Sequence, residues 1–417
     1  MQTLLAFIIV FGTIVIIHEL GHFVFAKRAG ILVREFAIGF GPKLFSHKKG
    51  ETLYSVRVLP LGGYVRMAGE DPEISDVKTG KEVALRQNER GEVTHILLNP
   101  ELAGGNAARG RVMDIDLERD LYVLLADEDG GETRYAVARE AVVVTERGAM
   151  QIAPLDRQFS AKSVGARALT LFGGPLFNIV LAVILFIAYF AIVGVPDYVK
   201  FGEISKDSPA AAAGLKTGDR VLAVDDKKVE SGADFTTFIQ ERGGEAISLK
   251  LERNGQAFTT NVTPKYEEEH EKYIIGVIPE EVNKPADVVT AFKMGFVHPY
   301  NMTLAIFDGF RIMLTGQAQL NDLTGPVGIA NFTGKIAATG FANSLQWTGF
   351  LSLYLGIFNL LPVPALDGSR LLFVGIEAVR GKPIDPQKEG MVHLIGFALL
   401  MMLMLVVTYN DIMRLIS

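Results

Sequence analysis

Apolar runs alternate with charge-rich stretches along this chain, and the apolar runs gather in four places. A helix needs about 20 such residues to cross the ~30 Å hydrocarbon core of a bilayer. The candidates are Leu4 to Ala26, about Arg167 to Val195, about Leu345 to Leu361 and about Val392 to Val407. The first has no positively charged leader and no small-residue cleavage site, and it carries His and Glu. It therefore reads as a retained span, not a signal peptide. Lys27, Arg28, Arg34, Lys43, Lys48 and Lys49 follow it. By the positive-inside rule residue 27 onward lies in the cytoplasm and 197–340 outside. The loop from about 362 to 391, with Arg370, Arg380, Lys382 and Lys388, returns to the cytoplasm, and the C-terminus lies outside.

Between the spans the pattern changes. Residues 31–70 alternate β-branched and aromatic with polar residues, which predicts short strands and a hairpin around Lys48-Lys49-Gly50. Their apolar content suits the membrane interface, and a small cytoplasmic sheet fits equally well. Residues 71–160 are charge-rich with strand-like runs and read as a cytoplasmic α+β insertion to which no chemistry is assigned. In 197–266 the text SPAAAAGLKTGDRVLAVDDKKV resembles a PDZ domain of the bacterial-protease type. It predicts a short helix Pro209 to Ala213 closed by Gly214, a turn at Gly218-Asp219 and a strand Arg220–Val224. The usual glycine of the next turn is missing, because Asp226 follows Asp225. Glu267, Glu268, Glu269 and Glu271 then read as linker, and Ala291 to Leu314 as an amphipathic surface segment with Asp308 and Arg311 on its polar face.

The expected fold class is a polytopic α-helical membrane protein with four transmembrane helices, a membrane-associated β-hairpin region and an inserted PDZ-like α/β domain. In order, it comprises helix one (1–30), the β-loop (31–70), the insertion (71–160), helix two (161–196) and the extracytoplasmic PDZ-like domain (197–266). A linker with the surface segment (267–340), helix three (341–368), and a cytoplasmic loop with helix four (369–417) complete it.

Composition agrees with this segregation. Of 417 residues 49% are hydrophobic and mean hydropathy is +0.27, yet 21% are charged, too many for a chain wholly within lipid. Lys and Arg number 41 against 47 Asp and Glu, a net charge of −6, so no polyanion-binding surface and no nucleic-acid partner is expected. There is no cysteine, which excludes disulfides, thiolate metal sites and thiol nucleophiles. Any metal must be held by His and carboxylates.

Inside the first apolar run the chain reads His18-Glu19-Leu20-Gly21-His22, an HExxH pattern. On a helix the two imidazoles sit one turn apart on one face, where both can ligate one ion, and Glu19 is placed to act as general base. Burying a Glu and two His in an apolar span costs several kcal/mol unless a metal or partner compensates. A purely structural polar cluster is therefore the weaker reading. Catalytic zinc generally has three protein ligands, so a third is missing. Asp367, after Pro362 and Pro364, reaches a similar depth. On position alone it serves equally well as N-cap of a helix 368–379, and the incomplete HExxH favours the ligand.

HELGH at 18–22, FGGPLFN at 172–178, GPVGIA at 325–330 and NLLPVPALDG at 359–368 together resemble the bacterial site-2 protease family, of the RseP/RasP type. The resemblance implies an intramembrane zinc metalloprotease with Zn2+ on His18, His22 and Asp367 and Glu19 as the catalytic carboxylate. It also implies substrate contact by Asn359 and a substrate-side β-loop through Leu61-Gly62-Gly63-Tyr64. Asn178, with Gly173-Gly174-Pro175, either supports close helix packing or joins Asn359, Gly62 and Gly63 in contacting substrate. The implied substrates are single-pass transmembrane proteins already trimmed outside, anti-sigma factor-like or signal-peptide remnants. The implied location is the plasma membrane, with the active site near its cytoplasmic side.

His393 reads as an interfacial residue before a fourth ligand, and His47, His95, His270 and His298 carry no ligand spacing. A membrane metal-ion transporter or sensor built on the same His/Asp cluster is the rival, but it gives no reason for Glu19. An aspartyl pair of Asp308 and Asp367 would leave His18, Glu19 and His22 unexplained.

Overall fold

The first helix, α1 (Gln2–Arg28), is apolar almost throughout and ends where Lys27 and Arg28 meet its C-terminal dipole and Gly30 turns the chain at φ +71°. The structure, a computed structural model, describes residues 2–70, 77–104, 107–127, 131–146, 148–268, 272–316 and 323–416. Glu269, His270 and Glu271 of the expected linker lie outside the described residues.

Strands β1 (Val33–Lys49) and β2 (Thr52–Met67), turned at Gly50-Glu51, pair as shorter stretches: 43–49 with 52–57 and 33–38 with 63–67, while 35–38 also lies beside 53–56. Each is continuous, 17 and 16 residues, but pairs as two short stretches joined by the expected hairpin at Lys48-Lys49-Gly50. The register shifts between Val33 and Phe45 arise because residues 35–38 have partners on both sides before the chain moves on to pair 43–49 with 52–57. The base is buried through Val33, Phe36, Val65 and Met67 against Ala26, Phe159, Leu171 and Val374. The distal half exposes Phe40, Leu44, Phe45, Val58 and Leu59.

Six strands follow: β3 (Glu82–Gln87), β4 (Val93–Leu97), β5 (Ala108–Asp116), β6 (Tyr122–Ala126), β7 (Glu132–Thr145) and β8 (Gly148–Gln151). Their order is β4-β3-β5-β6-β7-β8, and a parallel pairing of β4 with β7 closes the first five into a small barrel. Val83, Leu85, Val93, Ile96, Val112 and Val123 fill it. The expected α+β insertion is thus a β-barrel with single 3-10 turns and no α-helix among the described residues. Alternation of buried Val and Leu with exposed charge is a period of two, which leaves no helical face to bury.

Helix α2 (Val164–Val193) leads into a second unit, Val183–Met302, while Met1–Ala182 and Thr303–Ser417 form the first. In the second unit come β9 (Val195–Ile204), α3 (Pro209–Ala212), β10 (Arg220–Val224), β11 (Lys227–Lys228), α4 (Gly232–Arg242), β12 (Ile247–Arg253), β13 (Gln256–Val262), β14 (Lys265–Glu267), β15 (Lys272–Ile274) and β16 (Val277–Lys284). The sheet runs β13-β12-β10-β9-β16 over a core that includes Val199, Phe201, Phe235, Leu249 and Leu251. Its last strand lies beyond 266, inside what the polar composition marked as linker, because an edge strand carrying Glu280 and Glu281 has few apolar positions. Asp225 and Asp226 both take positive φ, so two aspartates make the tight β10–β11 turn without glycine.

The chain continues through α5 (Val288–Leu314), α6 (Pro326–Ala338), α7 (Phe341–Asn359), α8 (Asp367–Arg380) and α9 (Pro386–Ile416). Among the described residues three helices are long and apolar enough to cross a membrane: α1, α2 and residues 387–416 of α9. That suits a membrane protein. The expected third span coincides with α7, 19 residues whose first half carries Asn343, Ser344, Gln346 and Thr348 and which is not among the three.

Candidate metal centre

Helices α1 and α2 approach closely enough that a Cβ on Gly21 would collide with the Gly173 carbonyl. A Cβ on Gly174 would occupy the space of the His18 and His22 imidazoles. The Gly173-Gly174 pair therefore makes room for two rings between backbones. His18 and His22 are both buried at 8% exposure, with their Nε2 atoms 3.2 Å apart.

The third member arrives from far along the chain. After α7 ends at Asn359, the Pro362 to Leu366 loop turns the chain and Asp367 opens α8. Leu366, not Asp367, is the N-cap. The Asp367 carboxylate instead faces the imidazoles, Oδ2 lying 3.2 Å from His18 Nε2 and 3.4 Å from His22 Nε2. Three donors about 3.3 Å apart match the edges of a tetrahedron with metal–ligand bonds of ~2.0–2.1 Å, the geometry of a zinc site with one open corner. Among the described residues, this trio is the group of His and carboxylate donors close enough to hold an ion, with ligand atoms within 4.8 Å of one another. The residues present fit the metal.

The match that decides the family runs nearly the whole length of the chain: the profile of Peptidase family M50 covers residues 6–403. This chain belongs to that family, the site-2 proteases. It is 47% identical over 415 residues to a protein named zinc metalloprotease RasP from Geobacillus kaustophilus, across 99% of this chain and 98% of that one. To the regulator of sigma-W protease RasP of Bacillus subtilis it is 42% identical over 418 residues, 99% of each. Among solved structures it is similar, over 20% of its length and 87% of the other's, to the PDZ domain of an SdrC-like protein from Listeria monocytogenes, at 19% identity and a TM-score of 0.19.

In this M50 chain a cleft of about 340 Å³ opens onto the trio. Glu19, Gly63 and Asn359 line it together with His18, His22 and Asp367. Gly62, next to Gly63 in β2, sits at φ +139°, and a Cβ there would meet the Phe40 ring. Asn178 lies elsewhere. It is fully buried and stands behind His18, with its Nδ2 3.2 Å from His18 Nδ1, and is not among the residues that line the cleft. His393 stays outside the trio: its Nδ1 accepts the Ala365 N–H at 3.1 Å and so steadies the loop before Asp367. Asp308 is exposed and pairs with Arg311 at 3.5 Å.

Two neighbours escaped the sequence reading. Arg370 and Glu70 form an ion pair on the cleft wall, joining α8 to the end of the hairpin. Arg370 lies three residues after Asp367 and so shares its helix face, a signal present in the sequence; Glu70 carries none. The other is the Thr170 carbonyl, 2.8 Å from His22 Nδ1. A backbone acceptor leaves no mark on side-chain identity.

Proposed function

We propose that this chain is an intramembrane zinc metalloprotease that hydrolyses peptide bonds within or next to the transmembrane segments of single-pass proteins. The observation that carries the reading is the meeting of His18, His22 and Asp367 from two distant helices, with Glu19 on the same cleft. Zinc and the substrate class rest on the relatives' names, a zinc metalloprotease and a regulator of sigma-W protease, which point to anti-sigma factors as substrates.

His18, His22 and Asp367 would hold the metal, which would supply Lewis acidity to the scissile carbonyl and the attacking water. Glu19 removes a proton from that water at its carboxylate and returns it to the leaving amine nitrogen. A helical substrate hides its carbonyls in its own hydrogen bonds, so it must be unwound before attack. The free edge of β2 beside Gly63 offers backbone pairing to the opened segment, and Asn359, which lines the same cleft, contacts it. Four spans, with α7 as the third, put the catalytic end of α1 on the cytoplasmic side and the sheet of 195–284 outside, in keeping with the Lys and Arg distribution. The hairpin's exposed Phe40, Leu44 and Phe45 suit the membrane interface. A transporter has no use for a carboxylate at position 19.

The test is cleavage of a single-pass reporter with a shortened ectodomain and a helix-weakened span by wild type and Glu19→Gln at equal bound zinc. Loss of cleavage with zinc retained is expected. Equal cleavage by both, or none by zinc-loaded wild type, overturns the proposal.

A further inference from the structure

A neutral imidazole that ligates a metal through Nε2 carries its proton on Nδ1, and that N–H needs an acceptor. His22 has one, the Thr170 carbonyl oxygen. His18 Nε2 points to the same focus, 3.2 Å from Asp367 Oδ2, so its Nδ1 has the same requirement. The group facing His18 Nδ1 is the Asn178 carboxamide, buried at 0% exposure. Only the amide oxygen can accept, and Asn178 Oδ1 is buried without a hydrogen-bond partner while Nδ2 stands 3.2 Å from the ring nitrogen. Oxygen and nitrogen of such an amide exchange by a half turn about one bond, within the same volume.

We infer that Asn178 is a positioning residue for the metal centre: its side-chain oxygen accepts the His18 Nδ1–H and thereby fixes the tautomer and ring orientation that aim Nε2 at the ion. This rests on the metal reading proposed above. The residue is itself held in place. Ser352 Oγ donates to the Asn178 carbonyl at 2.8 Å, and Gly356 packs against its Cβ, so α7 braces the amide from behind. The two histidines are thus oriented by two different devices, a backbone carbonyl for His22 and a side chain for His18, and only the second can be removed by substitution.

The experiment compares full-length wild type, Asn178→Leu, which keeps the volume without the acceptor, and Asn178→Asp, which keeps the acceptor. Zinc affinity is measured by chelator competition, and the thermal unfolding of the zinc-free proteins alongside it. Asn178→Leu is expected to bind zinc about 10- to 100-fold more weakly and Asn178→Asp to recover most of that loss. Equal zinc affinity in all three, or an effect confined to KM for the reporter, overturns the inference. Wild type that binds no zinc at this site overturns the metal reading instead. Should Asn178→Leu fail to fold, histidine 15N spectra of zinc-loaded wild type decide: a proton on His18 Nδ1 bonded to the Asn178 carboxamide supports the assignment, and an unprotonated Nδ1 refutes it.

Discussion

A Cβ built on Gly63 would lie 2.8 Å from Cγ of Glu19 and 2.8 Å from the Ala37 carbonyl oxygen. The strand β2 therefore passes against the turn of α1 that carries Glu19, the proposed general base, and only a residue without a side chain fits. Gly63→Ala must push Glu19 or the strand aside. Misplacement of a catalytic group by ~1 Å costs on the order of 100-fold in rate. Cleavage by Gly63→Ala should fall by about that factor with bound zinc unchanged, since the methyl does not reach the ligands; normal kcat in a zinc-loaded variant would contradict this packing.

Removing Asp367 should act on a different quantity. Its Oδ2 approaches both imidazoles, so Asp367→Ala deletes the carboxylate donor and leaves a two-histidine site. The expected result is loss of stoichiometric zinc, measured by elemental analysis after dialysis against a mild chelator, with cleavage lost in parallel. Glu19→Gln should lose cleavage and keep the metal. Retention of zinc by Asp367→Ala would move the third ligand elsewhere.

The HExxH pair stood out in the sequence because two His and a Glu in an apolar run need an electrostatic reason to be there, and Asp367 only because that pair left a ligand wanting. The PDZ-like helix and turn were legible from Gly214 and Gly218, whose positive φ only glycine takes easily. What the sequence hid depends on three dimensions. The closure of the barrel requires the β4–β7 parallel pairing, which no local pattern encodes. Asn178 reads from the sequence first as a packing residue and second as a substrate contact, and its place beside His18 is visible only in three dimensions. The sheet's last strand, Val277–Lys284, was hidden by its own acidic residues.

The motif at 325–330 has its explanation at the far end of the chain. Asp411, buried in α9 at 3% exposure, accepts the Gly325 N–H at 3.2 Å and the Gly328 N–H at 2.7 Å, and so caps α6 from another helix. Helix α6 in turn packs on α1 through Gly334 and Thr3. Asp411→Ala leaves the buried Gly325 donor and the half-buried Gly328 donor unpaired, at a cost of about 1–3 kcal/mol for the first and less for the second. Faster amide exchange at Gly325 and residues 327–330 is expected, together with a lower unfolding temperature of the full-length protein. Unchanged exchange there would mean that water replaces the carboxylate.

The second unit should be acid-sensitive through one side chain. Asp219, 1% exposed, takes Arg253 Nε at 2.6 Å and Nη2 at 2.7 Å, and Lys216 N–H at 2.8 Å. Burial alone would raise its pKa, but the Arg253 guanidinium and the Lys216 amide outweigh it and hold the carboxyl below its usual range. A carboxyl whose folded pKa lies below its unfolded value, about 3.9, stabilises the fold fully above that pH. The contribution declines as the pH falls from there through the folded pKa. Amide exchange in β10 and β12 of the full-length protein should therefore accelerate as the pH falls below about 4, beyond the intrinsic effect of pH, by about 10-fold for each 1.4 kcal/mol lost. Asp219→Asn should already show the fast exchange at neutral pH and lose most of the acid dependence. A variant as protected as wild type at neutral pH would show that the Arg253 pair does not stabilise this sheet.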